Sequence, residues 1–447
     1  MLIRFIVKNL YSFKDQTEFN LLPGRTKRLE HHKYNKNGIE VLKQTAIYGA
    51  NGSGKSNLVK AIGCLKVLMT AGRIPYAMNT QKFKLSEYTL SEPVELAIEF
   101  SCNASTYFYS VSVQNGTILE EYFGETGVNM DRMIFTRSVK NIQFFEEFEK
   151  NEKNTALKNV IEQSLLKPHL PLFFLLNDIR EEAFKEIHSA FAWIATKLIL
   201  MGTETNANGM FVQNIDVLDG YKPFVKDLLK SFNTGVVELK VDKTSFEEYF
   251  GENYNEEVEK IKDELISTPT SVKSLPRNGR SSEKIALVNE NSKFIVKELL
   301  LLHNDENGNN VDFLVREESD GTKRLLDFIP AIHQLIKFDC TFIIDEMERS
   351  LHPTIIKELI SKFSNDENTK GQLIFTTHES NLLDQEIFRT DEIWFAEKNL
   401  NGATKLYSLS DFKEHSTIDI RKGYLTGRYG AIPFLGNLHE LNWHNND

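Results

Sequence analysis

Apolar and polar residues alternate along much of the N-terminal third of the chain. This alternation predicts strands at residues 2–7 and 17–21, and an apolar run predicts a third strand at 45–48. Apolar residues at helical spacing in 56–68 predict a helix directly after the third strand. Residues 93–121 alternate again and predict antiparallel strands that include an Asn-Gly hairpin turn. This part of the chain is therefore predicted to be rich in strands, with one helix.

The pattern changes to helical spacing between about residues 150 and 265. Separate helices are predicted at 221–232 and 246–266 within this stretch. The tract that follows, 267–284, is rich in Ser, Pro, Thr and Gly and shows no periodicity. Such a composition is typical of a flexible loop.

From about residue 293 onward, strands and helices alternate. Apolar runs predict strands at 294–303, 341–344 and 372–377, and helical spacing predicts helices at 321–337 and 353–363. Buried strands that alternate with helices are typical of a parallel sheet, so we predict an α/β protein.

Composition and charge narrow the class of protein. The 447 residues are 41% hydrophobic and 26% charged, which is typical of a globular protein. The net charge of −10 excludes a chain coated with positive charge, although it allows a local basic groove. The three scattered cysteines form no CxxC pair, which argues against a zinc ribbon or a disulfide framework and favours the cytoplasm. No apolar run approaches the roughly 20 residues needed to cross a bilayer, so we expect no membrane contact.

The most informative motif is GANGSGKS at residues 49–56, between a predicted strand and a predicted helix. Backbone N–H groups in such a loop converge on phosphate oxygens, and its glycines permit the backbone angles that this requires. The lysine reaches the β- and γ-phosphates, and the following hydroxyl binds Mg²⁺. A glycine-rich turn without a ligand is the alternative interpretation. The residues predicted to bind the nucleotide, with Ser56 also a metal ligand, are Gly49, Asn51, Gly52, Ser53, Gly54, Lys55, Ser56 and Asn57.

Two acids follow directly after the apolar run at 341–344. Asp345 and Glu346 are predicted to point into the crevice where open α/β sheets bind ligands. In a nucleotide site, Asp345 would bind Mg²⁺ and Glu346 would be the general base for the attacking water. Acids also end strands merely as polar caps. The predicted phosphate-binding loop (P-loop) at 49–56 favours the catalytic interpretation of Asp345 and Glu346 over the polar cap.

His378 follows the next apolar run, at 372–377. A ring nitrogen at this position can reach the same crevice and contact a γ-phosphate. A plain polar strand end is the alternative. We therefore predict two catalytic residues, Glu346 and His378.

A second helix start that could bind an anion lies upstream, in the sequence ESDGT. Ser319, Gly321 and Thr322 lie between a predicted strand and a helix, where backbone N–H groups can bind phosphate. Two chains packed head to tail would let this turn of one chain cap the γ-phosphate held by Lys55 of the other. Ser319 or Asp320 would cap the helix in either case.

Five motifs in this order resemble those of ABC-type ATPases of the SMC, RecF and OLD group. GANGSGKS, ESDGT, FIIDE, ERSLHP and TTH resemble their Walker A, signature, Walker B, D-loop and switch-histidine motifs. The segment IRKGYLTGRYGAIP resembles stand-alone ATPases of bacterial phage-defence systems of the abortive-infection, Septu or PARIS kind. The resemblance implies a homodimer with two shared ATP sites. It also implies an ABC-like P-loop fold in three regions, namely a β-rich N-lobe at 1–149, an inserted, mainly helical segment at 150–294 and a C-lobe at 295–447.

The chain departs from this group in several ways. Its signature reads SDGT where transporters have LSGGQ, which argues against a transporter. Residues 379–447 are too few for the Toprim nuclease domain of OLD proteins, and no heptad run predicts a long coiled coil. The group's Q-loop has only weak counterparts, Gln81 and Asn177.

The main hypothesis is a cytoplasmic, Mg²⁺-dependent ATPase that dimerises on ATP, with further assembly left open. Closure and release of the dimer would control a separately encoded effector, a nuclease or toxin, in phage defence. One alternative is a RecF- or SMC-like clamp that closes on DNA, and another is a nuclease in its own right. Contact of the basic residues in 273–284 with nucleic acid is also open, although a flexible loop is favoured.

Overall fold

The computed structural model describes residues 1–127, 131–203, 209–251, 256–274, 284–412 and 418–432. The strands within these residues are β1 (Leu2–Lys8), β2 (Thr17–Asn20), β3 (Lys33–Lys36), β4 (Ile39–Leu42), β5 (Gln44–Tyr48), β6 (Val94–Cys102), β7 (Ser105–Gln114), β8 (Thr117–Thr126), β9 (Arg132–Ser138), β10 (Ile142–Phe144), β11 (Leu198–Met201), β12 (Glu238–Ser245), β13 (Ile285–Glu290), β14 (Lys293–Asn304), β15 (Asn310–Leu314), β16 (Thr341–Ile344), β17 (Gln372–Thr376), β18 (Ile393–Lys398) and β19 (Thr404–Ser408). The helices are α1 (Lys55–Ala71), α2 (Tyr76–Thr80), α3 (Glu87–Ser91), α4 (Glu146–Glu149), α5 (Glu152–Val160), α6 (Leu172–Asp178), α7 (Lys185–Thr196), α8 (Gly209–Val217), α9 (Tyr221–Ser231), α10 (Phe246–Phe250), α11 (Glu256–Ser267), α12 (Asp320–Lys337), α13 (Pro353–Asn365) and α14 (Ile420–Leu425). None of these helices combines the length and the apolar composition that crossing a bilayer would require.

The chain divides into two compact units. The first consists of Met1–Thr203, Leu335–Met347 and Lys357–Asp447, and the second of Glu204–Gln334 and Glu348–Ile356. The sequence suggests a boundary near residue 150, whereas the first unit continues to residue 203. The reason is that α6 and α7 pack against α1 and bury their apolar faces in the core of the first unit.

The first unit contains a seven-stranded antiparallel sheet with the order β10-β9-β8-β7-β6-β1-β2. The predicted hairpin is present between β7 and β8, where Asn115 and Gly116 have φ angles of 49° and 73°. Positive φ at both central residues is what a two-residue hairpin of this twist requires, and Asn-Gly tolerates it. The polar stretch between β2 and β5 forms a further hairpin, β3–β4, which the sequence pattern did not predict.

A six-stranded sheet in the same unit has the order β11-β16-β17-β5-β18-β19. Its first five strands are parallel, and β19 pairs antiparallel at the edge. Every residue of β5, β16 and β17 is buried, which explains their apolar sequences. The predicted α/β class with a P-loop is therefore confirmed.

The two sheets share a core into which α1 inserts its apolar face. Leu58, Ile62 and Leu65 of α1 belong to one buried cluster with residues of both sheets, such as Phe5 and Ile374. Helical spacing places these three leucine and isoleucine side chains on one face of α1. Burial of that face fixes the start of α1 beside the ends of β5 and β16.

Gln372 on β17 joins the two sheets by hydrogen bonds. Its Oε1 accepts from the backbone N of Leu2 at 2.9 Å, and its Nε2 donates to the carbonyls of Leu2 and Leu42, each at 2.9 Å. The side chain is fully buried, so these bonds satisfy polar atoms that would otherwise be costly to bury. They hold β17 in position relative to β1.

The edge strand β11 lies where the sequence pattern suggested helix. Its four residues, LILM, pair in parallel with β16, because the apolar run is too short for a helix and matches the length of that strand. Lys66 on α1 donates to the carbonyls of Ala195 at 3.2 Å and Leu198 at 2.5 Å, and burial lowers the pKa of Lys66. This lysine ties α1 to the start of β11.

The second unit contains a four-stranded antiparallel sheet in which β14 pairs with β12 on one side and with β13 and β15 on the other. Helices α8 to α11 lie between β11 and β13 in sequence, as the helical pattern predicts, but the sheet shows that this region is not helical throughout. Much of the tract predicted as a flexible loop, namely residues 275–283, falls outside the described residues. The contact of that loop with nucleic acid stays a prediction.

Candidate functional site

The loop between β5 and α1 passes close to two strands of the sheet, and its glycines make this possible. A Cβ atom on Gly54 would lie 2.1 Å from Oγ1 of Thr404, and Gly54 has a φ of 112°. A Cβ on Gly49 would lie 2.4 Å from the carbonyl oxygen of Ala396. Side chains at either position would therefore collide with β19 or with the backbone of β18. The glycines let the loop pass close to these strands and turn directly into α1.

Lys55 is the first residue of α1, and its side chain is turned back over the loop. Its Nζ donates to the carbonyl oxygens of Gly49 at 2.7 Å and Ala50 at 3.2 Å, and the residue is only 4% exposed. Ser53 Oγ is also buried and has no hydrogen-bond partner in the described part of the chain. A phosphate oxygen would satisfy this hydroxyl, and the ammonium lies where it could contact the same group. The loop therefore fits a triphosphate.

Asp345 and Ser56 meet at the carboxyl ends of β16 and β5, the two strands that flank β17. Ser56 Oγ donates to Oδ1 of Asp345 at 3.1 Å, and Oγ1 of Thr376 donates to the same carboxylate oxygen at 2.7 Å. Asp345 is 7% exposed and lies directly after β16. A carboxylate and a hydroxyl provide the oxygen ligands that Mg²⁺ prefers. These two residues fit the predicted role of metal ligands.

Glu346 adopts a backbone conformation that is uncommon for a residue other than glycine, with φ of 50°. Its backbone N donates to Oγ1 of Thr376 at 2.8 Å, and the next residue, Met347, donates to the carbonyl of Thr376 at 3.1 Å. These bonds from β17 hold the strained turn after β16. Strain of this kind persists where the surrounding structure fixes it, which is common at functional sites.

A cavity of about 270 Å³ brings the predicted residues together. It is lined by Asn51, Gly52, Ser53, Gly54, Lys55, Ser56, Asn57, Glu346 and His378. Asp345 is next to this cavity through its hydrogen bond to Ser56. The first unit alone therefore assembles the phosphate loop, the metal-ligand pair, the predicted base and the predicted histidine.

The signature residues lie in the second unit. Ser319 Oγ accepts from the backbone N of Thr322 at 3.1 Å, so Ser319 caps α12 as expected. A Cβ on Gly321 would lie 3.2 Å from the carbonyl oxygen of Ser350, which belongs to the predicted D-loop. The signature turn and the D-loop are thus in contact within one unit. Their role beside a γ-phosphate stays a prediction.

Three hydroxyl residues of the site were not identified from the sequence. Thr376 links Asp345 to Glu346 as described above. Thr404 Oγ1 lies 2.7 Å from the carbonyl of Ser53 and 2.8 Å from Oγ of Ser12, and Asn57 Nδ2 donates to that same Oγ at 2.8 Å. The adjacent hydroxyls in TTH, just before His378, were the available signal for Thr376.

The two weak Q-loop candidates do not line the 270 Å³ cavity. Gln81 is exposed, and its backbone carbonyl accepts from the N of Tyr11 at 2.6 Å. It lines a separate cavity of about 570 Å³, which also includes Asn57. Asn177 lies within α6. The assignment of a Q-loop residue stays a prediction.

Comparison with known proteins identifies the family. The family described as "AAA domain, putative AbiEii toxin, Type IV TA system" matches residues 45–384, which include the loop, both acids and the histidine. The chain belongs to this family. Among curated proteins, none is significantly similar in sequence to this AAA-domain protein.

Several solved structures resemble this AAA-domain protein at low sequence identity. An SMC head bound to the C-winged helix domain of ScpA is 13% identical with a TM-score of 0.43, covering 91% of this chain and 97% of that chain. The SMC head domain from Thermotoga maritima is 13% identical with a TM-score of 0.34, covering 91% and 98%. An Smc head domain from Pyrococcus furiosus, bound to the C-terminal domain of ScpA, is 12% identical with a TM-score of 0.36, covering 96% and 98%. At these scores the likeness adds nothing to the fold seen directly in the sheets.

Proposed function

We propose that this protein is a Mg²⁺-dependent ATPase that dimerises on ATP. The observation that carries the proposal is the cluster of Lys55, Ser56, Asp345 and Glu346 around one cavity, at the carboxyl ends of β5 and β16 in one parallel sheet. Mg²⁺, when bound, would neutralise charge on the triphosphate. The family match, which spans the whole cluster, supports the same class of activity.

Each residue of the cluster has a distinct proposed task. Lys55 contacts the β- and γ-phosphates, and Ser56 and Asp345 offer oxygen ligands to the cation. Glu346 accepts a proton from the attacking water, and His378 contacts the γ-phosphate. The bonds of Thr376 support this division, because they hold the carboxylate of Asp345 and the backbone of Glu346 in fixed positions.

The proposed dimer places the signature turn of one copy against the nucleotide of the other. Ser319, Gly321 and Thr322 supply a helix start whose N–H groups favour an anion, and Ser319 is exposed. We propose that closure of this dimer controls a separately encoded nuclease or toxin in phage defence. The family description, which names a toxin and a TA system, favours a role of this kind.

A mixing experiment tests the shared sites. Lys55→Ala chains and Ser319→Ala chains are each expected to be inactive alone, and an equal mixture should recover about one quarter of the wild-type ATPase rate. That fraction follows because half of the dimers are mixed and each mixed dimer has one complete site. Steady-state phosphate release measures the rate. A mixture no faster than the two variants assayed separately would contradict the proposal.

A further inference from the structure

A histidine in the second unit holds the residue that precedes the signature turn. His303 lies near the end of β14, and its Nε2 is 2.6 Å from Oε1 of Glu318, which is followed directly by Ser319. The Glu318 side chain is 7% exposed and that of His303 is 23% exposed. A bond of this length to a largely buried carboxylate is in the range of the stronger hydrogen bonds in proteins.

The imidazole of His303 is itself held on several sides. His303 pairs with Val311 in the β14–β15 ladder, and its ring lies 4.8 Å from the ring of Phe313 in an edge-to-face arrangement. A Cβ on Gly235 would lie 3.3 Å from Nδ1 of His303, so the backbone before β12 passes close to the other ring nitrogen. The rigid sheet therefore fixes the donor end of the bond to Glu318.

The first two residues of the signature turn, in contrast, have mainly local contacts. Ser319 and Asp320 are exposed, and the side-chain bonds of Ser319 go to Thr322, three residues further on. The D-loop touches the turn at Gly321 through the carbonyl of Ser350. The side chain of Glu318 thus connects the start of the turn to the sheet through its bond to His303.

We propose that His303 and Glu318 are positioning residues for ATP hydrolysis. Their bond places the start of α12 so that Ser319 and Gly321 meet the γ-phosphate held by a second copy. This inference rests on the proposed function, because it assumes that the signature turn completes the site. Neither residue touches the nucleotide.

A pair of variants at position 303 tests the inference on the full-length protein. His303→Leu removes the donor at similar volume, and we expect kcat for ATP hydrolysis to fall about tenfold. ATP affinity should not change, because the phosphate loop lies in the first unit. His303→Gln retains a side-chain N–H, so it should restore kcat to within about threefold of wild type. A role in stability alone predicts wild-type kcat in every variant that folds equally well.

Two further variants keep the test informative if His303→Leu folds poorly. Glu318→Leu removes both acceptor oxygens at similar volume, and it should lower kcat with unchanged ATP affinity. Lys240→Leu is the matched control, since it breaks an exposed 2.7 Å ion pair with Asp312 on the same sheet without touching the turn. It should leave kcat at the wild-type value. Wild-type kcat in His303→Leu or in Glu318→Leu, or no recovery in His303→Gln, would overturn the inference.

Ser319→Ala separates this inference from the proposed function. If Ser319→Ala hydrolyses ATP at the wild-type rate, the shared site is wrong, whatever the variants at His303 do. If Ser319→Ala is slow while His303→Leu has the wild-type rate, only the positioning role fails.

Discussion

The chain has two helix starts that could bind phosphate, and they are built in different ways. At the start of α1, Lys55 is buried, and Ser56 is hydrogen-bonded to Asp345, which directly follows β16. At the start of α12, Ser319 is exposed, and its hydrogen bonds go to Thr322 within the same turn. The start of α1 therefore belongs to a site built from several strands, whereas the start of α12 is a turn held by local bonds.

This difference indicates that the two helix starts have different roles. The start of α1 has a lysine and an adjacent carboxylate-hydroxyl pair, which are the kinds of group that bind phosphates and Mg²⁺. The start of α12 offers backbone N–H groups and one exposed hydroxyl, which suit an anion that is already held elsewhere. We infer that the first start determines binding and that the second affects turnover.

The largest effect expected from this comparison is that of Lys55→Ala. Loss of the ammonium should weaken ATP binding by about 100-fold or more, because a charge-assisted contact to two phosphates is lost inside a buried loop. Equilibrium binding of a fluorescent ATP analogue measures the loss. Lys150→Ala, which removes an exposed lysine on the same unit, is the control and should bind normally. Tight binding by Lys55→Ala would mean that the loop does not hold the phosphates.

Glu346→Gln should separate binding from chemistry. The amide cannot accept the proton, so kcat should fall at least about 100-fold, whereas ATP affinity should stay near that of the wild type. ATP should then accumulate in closed dimers, which size-exclusion chromatography with light scattering would detect. Glu358→Gln, an exposed change on α13, is the control. ATP hydrolysis by Glu346→Gln at the wild-type rate would show that Glu346 is not the general base.

The site could be predicted from the sequence wherever its signal is local. The glycines and Lys55 form one continuous motif, and Asp345 and Glu346 follow a recognisable buried strand. The structure brings these separate motifs to one cavity together with His378. Parallel strands that end at one sheet edge made this meeting predictable.

The parts that were missed depend on pairings between distant segments. Thr376 reaches Asp345 because β17 lies beside β16, and Thr404 reaches the phosphate loop because β19 returns to the sheet edge near Ser12. The spacing of apolar residues within one segment does not reveal the order of strands in the sheet. The short strand β11 was assigned to a helical stretch for the same reason, since only its partner β16 identifies it as a strand.

The smallest expected effect is that of Thr376→Val, which tests how Asp345 is held near the start of α1. Valine keeps the shape of the buried side chain but removes the bonds to Asp345 and to the backbone of Glu346, which should lower the free energy of unfolding by about 1 to 3 kcal/mol. Without the bond from Thr376, the Asp345 carboxylate is less well oriented, so Mg²⁺ should bind about tenfold more weakly. Hydrogen bonds to a metal ligand fix its orientation toward the metal.

Chemical denaturation and Mg²⁺ titration of the ATP-bound protein measure these two losses. Thr377→Val is the matched control, because Thr377 is equally buried and its hydroxyl accepts from the backbone N of Glu379 rather than binding Asp345. It should lower stability without changing the Mg²⁺ affinity. Equal Mg²⁺ affinity in the two variants would mean that the backbone of β16 and of the turn after it holds Asp345 without Thr376. The rigid attachment that distinguishes the start of α1 from that of α12 would then have to come from the strand backbone alone.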